Sequence, residues 1–433
     1  MRIVPDELHI KDSQFYEELY AKHGRGDKMR EESARFGNEY STFATPDARL
    51  HATRRGALSQ FFSRQRIVAL ESTVRKKLDI LITNIRPYEN SGSPLNLRDV
   101  WAAFVGDVIT RYCFSFDYDH LNSEGFGTNW HESFSAITQI GPLAMQYPLI
   151  PRVMNALPMS LVAKLDPLYG QLYEVQKDLL KEIKKLKSAK AEKHDGDKQQ
   201  SVLSSILEDP DLHPNEKNNQ RVLDEAQLLI AAGLLTTAWA LSVGSFHIIN
   251  NPHIYKTLRA ELEDAIRDPT TEDAFQWTQL EKLPYLSGCI KESIRLSQPV
   301  THRSQRQYNE SIKYGDWVIP PRTPIGMNLS DIHKDEAIFP EHAKFKPERW
   351  INPSKTEYGP TVDKFFFSFG KGPRSCLGVN LAWCELYLAM AGVFRNFKFE
   401  LYETDATDVE VKHDFWLPSP KLESKGVRVK CVV

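Results

Sequence analysis

The stretch from residue 369 to 378, FGKGPRSCLG, constrains this chain more than any other, because it places one cysteine in a glycine-rich loop before an apolar helical run. A thiolate is a soft, strongly donating ligand for iron, and it stays deprotonated only beside positive charge or backbone N–H groups. Gly372 and Gly378 let the backbone approach a flat ring system closely. Arg374 can bond a carboxylate of such a group. We therefore predict that Cys376 is the thiolate ligand of a haem iron.

The order of residue types in this loop, FxxGxRxCxG, resembles the haem-ligand signature of the cytochrome P450 family. In that register Phe369 covers the sulfur side of the haem and excludes water, which tunes the basicity of the ligand. The resemblance continues, in the order the family requires, along nearly the whole chain. It implies one haem-thiolate domain over residues 1–433, mainly α-helical with a small β subdomain, that binds haem b through the axial thiolate of Cys376.

Composition and cysteine spacing exclude several other classes of protein. The 433 residues carry a formal net charge of −2, which gives no global reason to expect a nucleic-acid partner. The five cysteines form no CxxC pair, so a disulfide framework, a zinc site or an iron–sulfur cluster is not indicated. The longest uncharged segment, 226–249, is long enough to span a membrane. We expect a buried helix instead, because the segment contains several polar residues and lacks interfacial anchors.

The beginning of the chain departs from the family pattern. Compared with the family pattern, we expect the leading anchor helix, the first helix and the first strand to be absent, because residues 3–10 already read as a strand. A truncated gene model, an engineered form and a natural short form all remain open. Family members reside on the cytosolic face of the endoplasmic reticulum membrane, whereas this chain, without a transmembrane anchor, is expected to be soluble or peripheral.

An apolar, proline-punctuated stretch over residues 145–165 is too irregular for one helix. In the family the matching region roofs the substrate pocket and touches the bilayer. The resemblance therefore implies a lipophilic entrance and a peripheral membrane contact here, with the candidate residues Ile150, Val153, Met154 and Leu157.

A long helix is predicted over residues 220–250, and it contains AAGLLTT at 231–237. A glycine inside a helix costs about 1 kcal/mol relative to alanine, so Gly233 indicates close packing or a local opening. In the family the matching glycine makes room for dioxygen, and the threonine that follows hydrogen-bonds the bound oxygen. Thr236 takes that position and Thr237 adjoins it. The alternative is that both threonines bond helix carbonyls, as most buried helical threonines do.

Leu235 differs from the family pattern, which usually places Asp or Glu before that threonine to relay protons. A leucine carries no proton, so two alternatives follow. Either protons reach the oxygen through water and Thr236 or Thr237, or the site catalyses a rearrangement or dehydration that needs no relay. We favour the first alternative, because the hydroxyl group is retained.

Three charged residues recur in the family's structural core. Glu292 and Arg295 lie three apart on a helix predicted over 283–296, and as a surface pair they would contribute less than about 1 kcal/mol. The resemblance adds Arg349, from the PERW segment at 347–350, and implies one buried triad.

Further basic residues are candidates for the haem propionates. His51 and Arg55 lie four apart on a predicted helix, so both can address one carboxylate. A solvated basic helix start is the alternative. Arg303 is a third propionate candidate, and a hairpin tip at 415–418 is expected to reach the substrate.

The resemblance implies a monooxygenase that uses O2 and electrons from a separate NADPH-cytochrome P450 reductase to oxidise a lipophilic small molecule. The segments around the central helix and PERW are most similar to fungal members of secondary metabolism, including trichodiene-oxygenase-like hydroxylases. We therefore expect a terpenoid or a related metabolite as substrate. Two alternatives remain: a haem-thiolate enzyme for rearrangement or dehydration, and a non-catalytic haem-binding protein.

Overall fold

The computed structural model describes residues 1–114, 116–127, 129–147, 149, 153, 157, 161, 164, 167–191, 201–271 and 274–432. Helices dominate this part of the chain. They are α1 (Ala48–Ser59), α2 (Arg64–Ile85), α3 (Tyr88–Ser91), α4 (Leu97–Phe114), α5 (Asn129–Gln146), α6 (Pro167–Ala191), α7 (Val202–Glu208), α8 (Asn219–Ile249), α9 (Pro252–Ala265), α10 (Trp277–Leu280), α11 (Pro284–Ser297), α12 (Leu329–His333) and α13 (Val379–Asn396).

Short strands make up the β part of the described chain. They are β1 (Arg2–Val4), β2 (Glu7–His9), β3 (Leu95–Asn96), β4 (Ile312–Tyr314), β5 (Trp317–Ile319), β6 (Ile325–Gly326), β7 (Lys398–Leu401), β8 (His413–Phe415), β9 (Leu417–Ser419) and β10 (Arg428–Val432). They form two three-stranded sheets, in the orders β1-β2-β6 and β3-β10-β7, and two hairpins, β4-β5 and β8-β9. The predicted class, mainly α with a small β subdomain, is confirmed.

The first residues form a hairpin and not the single strand predicted over 3–10. The chain turns at Pro5 and Asp6, because a proline lacks an N–H for the ladder and its fixed φ favours a turn. Strand β2 then pairs in parallel with β6, with Leu8 opposite Ile325. Residue Asp27 forms an isolated antiparallel bridge with Gln307. The beginning of the chain is thus held by residues about 300 positions later.

Helix α8 is the central element, and its bounds confirm the helix predicted over 220–250. It starts where the side chain of Asn218 accepts a hydrogen bond from the backbone N–H of Arg221. By length and hydropathy it qualifies as a membrane span, yet 67% of its most apolar stretch is buried inside the fold. The covering helices are mainly α4 and α11. Helix α8 therefore serves as a core helix.

Two apolar cores flank a large cavity. The larger core joins the helices, and it includes Phe62, Ile109 and Leu381. The smaller core gathers residues of the β region, among them Tyr16 and Tyr20. All five of these residues line the cavity, so the cavity lies between the two cores.

Candidate active site

The cavity encloses about 2210 Å³ of unfilled space, part of it continuous with solvent. The lining comes from the first 62 residues, α4, α5, α8, the end of α11 and the segment after it, the start of α12, the loop at 368–378, the start of α13 and the β8-β9 tip.

Cys376 is exposed and lines this cavity, whereas Cys113, Cys289, Cys384 and Cys431 are buried. The sulfur is open to the cavity but enclosed by the surrounding protein, and this enclosure raises the pKa of the Cys376 thiol. A hydrogen bond from the backbone N–H of Gly378 and the charge of Arg55 oppose that rise. These opposing groups favour the thiolate, as an anionic metal ligand requires.

Backbone hydrogen bonds fix the shape of the loop that carries this cysteine. The N–H of Cys376 donates to the carbonyl of Phe369 at 2.7 Å, and the N–H of Gly370 donates to the carbonyl of Phe367 at 2.7 Å. The Phe369 ring lines the cavity and lies 5.4 Å, between ring centroids, from Trp383. The loop thus presents sulfur and an aromatic shield on the same wall.

The two loop glycines predicted to contact the cofactor have different roles. Gly378 lines the cavity and precedes α13, as expected. Gly372 is outside the lining and has φ of +71°, and a Cβ built on it would lie 1.9 Å from the carbonyl oxygen of Tyr20. Its small size and left-handed backbone serve the packing of the loop on the beginning of the chain. The prediction that Gly372 contacts the cofactor is therefore corrected.

Positive charge gathers on the cavity wall near Cys376. Besides His51 and Arg55, the two propionate candidates on α1, the wall includes Lys28, Arg306 and Arg374. Burial and the charges of Arg374, Lys28, Arg55 and Arg306 lower the pKa of His51 to about 3, so its imidazole is neutral at pH 7. This wall is suited to negatively charged groups.

Arg374 is held in place by the protein but not neutralised by it. Its two terminal nitrogens donate to the carbonyl oxygens of Thr45 and Pro46 at 2.9 and 2.7 Å. Its Nε is buried and has no hydrogen-bond partner among the described residues. Burial and the neighbouring Arg306 lower the pKa of Arg374 to about 9. An unpaired buried donor beside a second cation indicates that an anion belongs here.

Arg303 is not at this wall. It forms an ion pair with Glu7 at 3.2 Å and lies outside the cavity lining. The N–H of Gln305 bonds back to the carbonyl of Arg303, so the chain turns between Arg303 and Arg306, and Arg306 faces the cavity instead. Arg306 therefore replaces Arg303 as the candidate for a carboxylate.

Haem b fits the residues that are present. A soft sulfur ligand faces the cavity, an aromatic ring lies next to it, and the adjacent wall has an excess of cations and an orphaned donor. The two carboxylates of haem b would satisfy that excess through charge-assisted hydrogen bonds. Cys376, Arg55, Arg306, Arg374 and His51 are the residues that would hold it.

Gly233, Thr236 and Thr237 all line the cavity on α8, and so does Leu235. A Cβ on Gly233 would approach Cγ1 of Ile109 to 3.0 Å, so close packing against α4 explains this glycine. The hydroxyl of Thr236 donates to the carbonyl of Ala232 at 2.8 Å. That bond is the one expected of an ordinary helical threonine, and it leaves the hydroxyl oxygen able to accept a hydrogen bond.

The predicted triad is present and has a fourth member. Arg295 donates to Glu292 through two nitrogens, at 2.9 and 2.7 Å, and Nε of Arg349 donates to the same carboxylate at 2.9 Å. The indole N–H of Trp350, which sequence reasoning missed, adds a bond of 2.9 Å. Burial raises the pKa of Glu292, but Arg295 and Arg349 outweigh that effect and lower it overall.

Other predicted substrate contacts divide into two sets. Trp416 and Leu417, at the tip between β8 and β9, line the cavity as expected. Val153 and Leu157 are exposed and outside the lining. Ile150 and Met154 lie outside the described residues.

Comparison with known proteins agrees with this geometry. The family model "Cytochrome P450" matches residues 8–425. The chain is 40% identical over 445 residues to the cytochrome P450 monooxygenase sdnE of Sordaria araneosa, covering 99% of this chain and 85% of that protein. It is 37% identical to the tryptophan 6-hydroxylase fscE of Fusarium equiseti, with coverage of 99% and 83%. It is 36% identical to the N-acetyltryptophan 6-hydroxylase ivoC of Emericella nidulans, with coverage of 99% and 84%.

Family members carry haem b on a cysteine thiolate, and the cavity wall beside Cys376 offers the ligand and the cations that such a group needs. With a family match over nearly all of its length and monooxygenase relatives of this similarity, the chain belongs to the cytochrome P450 family and is a haem-thiolate monooxygenase.

Proposed function

We propose that this chain hydroxylates or otherwise oxidises a lipophilic small molecule of fungal secondary metabolism, with Cys376 as the iron ligand. O2 is the oxidant, and a separate NADPH-dependent reductase supplies electrons. The observation that carries the proposal is the exposed Cys376 facing a cation-rich cavity wall. Bound haem supplies the oxygen chemistry, in which a thiolate ligand favours O–O cleavage.

Residues of this chain bind and position the cofactor. Arg306 and Arg374 bind its carboxylates, and Nη1 of Arg55, which donates to the carbonyl of Ser375 at 2.7 Å, ties that wall to the ligand loop. The N–H of Gly378 and the N-terminal end of α13 favour the thiolate over the thiol, and bound iron would complete the deprotonation. Phe369 excludes water from it.

Thr236 and Thr237 handle the protons in this proposal. Leu235 occupies the place of the usual acid and offers no proton, so delivery depends on the threonine hydroxyls and on water in the cavity. The hydroxyl of Thr236 donates a hydrogen bond to the carbonyl of Ala232 in this structure, and to pass a proton on it would accept a hydrogen bond from water and turn its own O–H toward the cavity. The rival chemistry, a rearrangement or dehydration, is favoured by Leu235 alone.

Two substrate classes suit the apolar part of the cavity. A terpenoid or a related metabolite matches its aliphatic lining from α8 and α13. Aromatic side chains, among them Phe36, Phe43 and Trp416, also line it and would stack on an indole. The relatives named as hydroxylases of tryptophan and N-acetyltryptophan support this second class for this chain.

A peripheral membrane contact is also proposed. Apolar side chains at Leu143, Tyr147, Leu149, Val153 and Leu157 are exposed along one stretch of the chain. Apolar side chains concentrated in one exposed stretch are typical of a membrane or protein contact. Flotation with liposomes of neutral phospholipid, before and after replacing Leu149 and Val153 with glutamate, tests this contact.

Reduced-plus-carbon-monoxide difference spectroscopy tests the haem-thiolate assignment. We expect a strongly red-shifted Soret band in the purified protein and its loss in Cys376→Ser. A band that survives this substitution would contradict the assignment. Product analysis with a fungal reductase, NADPH and candidate terpenoids and indoles then separates oxygenation from rearrangement, since only oxygenation incorporates label from ¹⁸O2.

The role of the two threonines is tested by measuring how much product forms per NADPH consumed. Thr236→Ala is expected to lower product formed per NADPH and to raise hydrogen peroxide release, because proton delivery is impaired. Thr237→Ala shows whether the neighbouring hydroxyl shares this role. Unchanged coupling in both variants would contradict the proposed path.

A further inference from the structure

Tyr40 and Thr42 are bonded to the first half of α8, about three helical turns before Thr236. The N–H of Tyr40 donates to Asp224 at 2.9 Å, and both the N–H and the hydroxyl of Thr42 donate to Oε2 of Glu225, at 2.8 and 2.6 Å. Glu225 precedes Gly233 by eight residues, which is about 12 Å along a helix. These bonds therefore place a polar cluster about 12 Å from the glycine beside the proposed reaction site.

Asn38 lies in the same short stretch, and its side chain is buried without a hydrogen-bond partner for its oxygen. Its side chain lines the cavity and is only 3% exposed. Its Oδ1 is buried without a hydrogen-bond partner among the described residues. Buried polar atoms are rarely left unpaired in folded proteins, so this amide points to a partner that enters the cavity.

Glu225, which is bonded to the same short stretch through Thr42, offers a second acceptor. The carboxylate also lines the cavity and is 1% exposed. Its bonds from Thr42 and its ion pair with Arg221, at 2.6 Å, all reach Oε2. Among the described contacts Oε1 remains available to a group in the cavity.

The charge balance at this end favours a cationic group. Three carboxylates, Glu216, Asp224 and Glu225, lie there with two arginines, Arg54 and Arg221. Arg54 and Arg221 both pair with Glu216, and Arg221 also pairs with Glu225. The cluster thus has one more acid than base, the opposite of the cation-rich wall near Cys376.

We propose that Asn38 and Glu225 form a subsite for a protonated amine of the substrate. The amine donates to both acceptors, while the carbon that is oxidised lies about 12 Å away near Gly233. This inference rests on the proposed function, which places the reaction beside Cys376. It defines the substrate as a mainly apolar molecule with a basic nitrogen at its far end.

The test compares three probe series of equal length: phenylalkylamines, phenylalkanols and phenylalkanes with four to eight methylene groups. Calorimetry measures each dissociation constant with the haem-loaded protein, and the Soret shift shows whether nitrogen binds the iron. We expect amines with the longer chains to bind about tenfold tighter than their alkane counterparts, without the red shift that a nitrogen ligand to iron produces.

Variants of the two residues test whether they cause the tighter binding of amines. Asn38→Leu and Glu225→Gln should each remove most of the tenfold preference, and Asn38→Leu breaks no side-chain hydrogen bond given for the described residues. Thr138→Val is the control, since Thr138 also lines the cavity but bonds the carbonyl of Ser135. The carbon monoxide band verifies haem loading in every variant.

Several outcomes would overturn the subsite. Amines that bind no tighter than alkanes, or a preference that survives Asn38→Leu and Glu225→Gln, would do so. Alkanols as tight as amines would show that charge is not recognised, and a red-shifted Soret band would place the nitrogen at the iron. Failure of the proposed function is distinct: it would appear as a missing carbon monoxide band or as no hydroxylated phenylalkane, whatever the dissociation constants.

Discussion

Two groups of buried arginines in this molecule differ in how their charge is balanced. Arg295 and Arg349 share the carboxylate of Glu292, and their remaining nitrogens donate to backbone carbonyls, including those of His333 and Pro340. Arg306 and Arg374 have no ion pair among the described residues, and one nitrogen of Arg374 has no partner. The first group is complete within the protein, whereas the second requires an anion from outside.

The difference separates folding from cofactor binding. Arg295 and Arg349 with Glu292 form a closed group, whose charges balance within the protein, and it stabilises the haem-free and the haem-loaded protein alike. Arg306 and Arg374 form an open group, whose charge is not balanced in the haem-free protein, and their burial becomes favourable only when carboxylates bind. Substitutions in the two groups should therefore differ in which form of the protein they affect.

The largest effect is expected from Glu292→Ala. The change leaves two guanidinium groups and the indole N–H of Trp350 buried without their acceptor, at a cost of about 3–5 kcal/mol or more. We expect little folded protein and no haem incorporation, as measured by circular dichroism and the carbon monoxide band. Glu174→Ala is the control, since Glu174 and Lys177 form an exposed pair. A haem-loaded Glu292→Ala protein would disprove the role of the closed group.

Arg306→Met should weaken haem binding without destabilising the haem-free protein. Its one side-chain hydrogen bond among the described residues is a local one to the carbonyl of Gln305. Losing a charge-assisted bond to a propionate should weaken haem binding about tenfold, as measured by the rate of haem transfer to apomyoglobin. In urea unfolding the haem-free variant should be at least as stable as the original protein, because one of two neighbouring unbalanced charges is removed. Equal destabilisation of both forms would mean that Arg306 belongs to a closed group.

The positive charge of the open group should make the stability of the haem-free protein depend on pH, because, together with burial, it opposes protonation of His51. Its pKa is about 3 in the folded chain against an ordinary 6.5, so the unfolded chain binds more protons below pH 6.5 and stability falls as pH falls toward 3. We expect His51→Gln to reduce the loss of unfolding free energy between pH 7 and 5 by about 1–2 kcal/mol in the haem-free protein. Parallel pH profiles in urea unfolding would contradict this.

The smallest effect is expected from Arg303→Gln. Its pair with Glu7 is partly exposed, so its removal should cost less than about 1 kcal/mol. Haem transfer to apomyoglobin should proceed at the original rate. Faster haem loss, comparable to that of Arg306→Met, would restore Arg303 to the site.

The sequence predicted features that depend on local order. The position of Cys376, the bounds of α8 and the grouping of Glu292 with Arg295 follow from spacing along one loop or helix, and the resemblance added Arg349. The missed features depend on distant contacts. The role of Gly372 required its approach to Tyr20, and Asn38 gained meaning only when residues 40 and 42 were seen bonded to α8, about 180 positions later. The choice of Arg306 over Arg303 depended on a single turn.

The pairing of β2 with β6 has a consequence for synthesis in the cell. About 300 residues must be translated after Leu8 before its neighbour Ile325 emerges, which at ordinary elongation rates takes about 15 to 60 seconds. During that interval the apolar side chains of Ile10, Tyr16 and Leu19, all buried in the finished molecule, lack the native partners that come much later in the chain, such as Phe367, which stacks on Tyr16. Nascent chains are thus exposed to aggregation through residues 10–19, and slower growth at low temperature with abundant chaperones should increase the yield of folded enzyme.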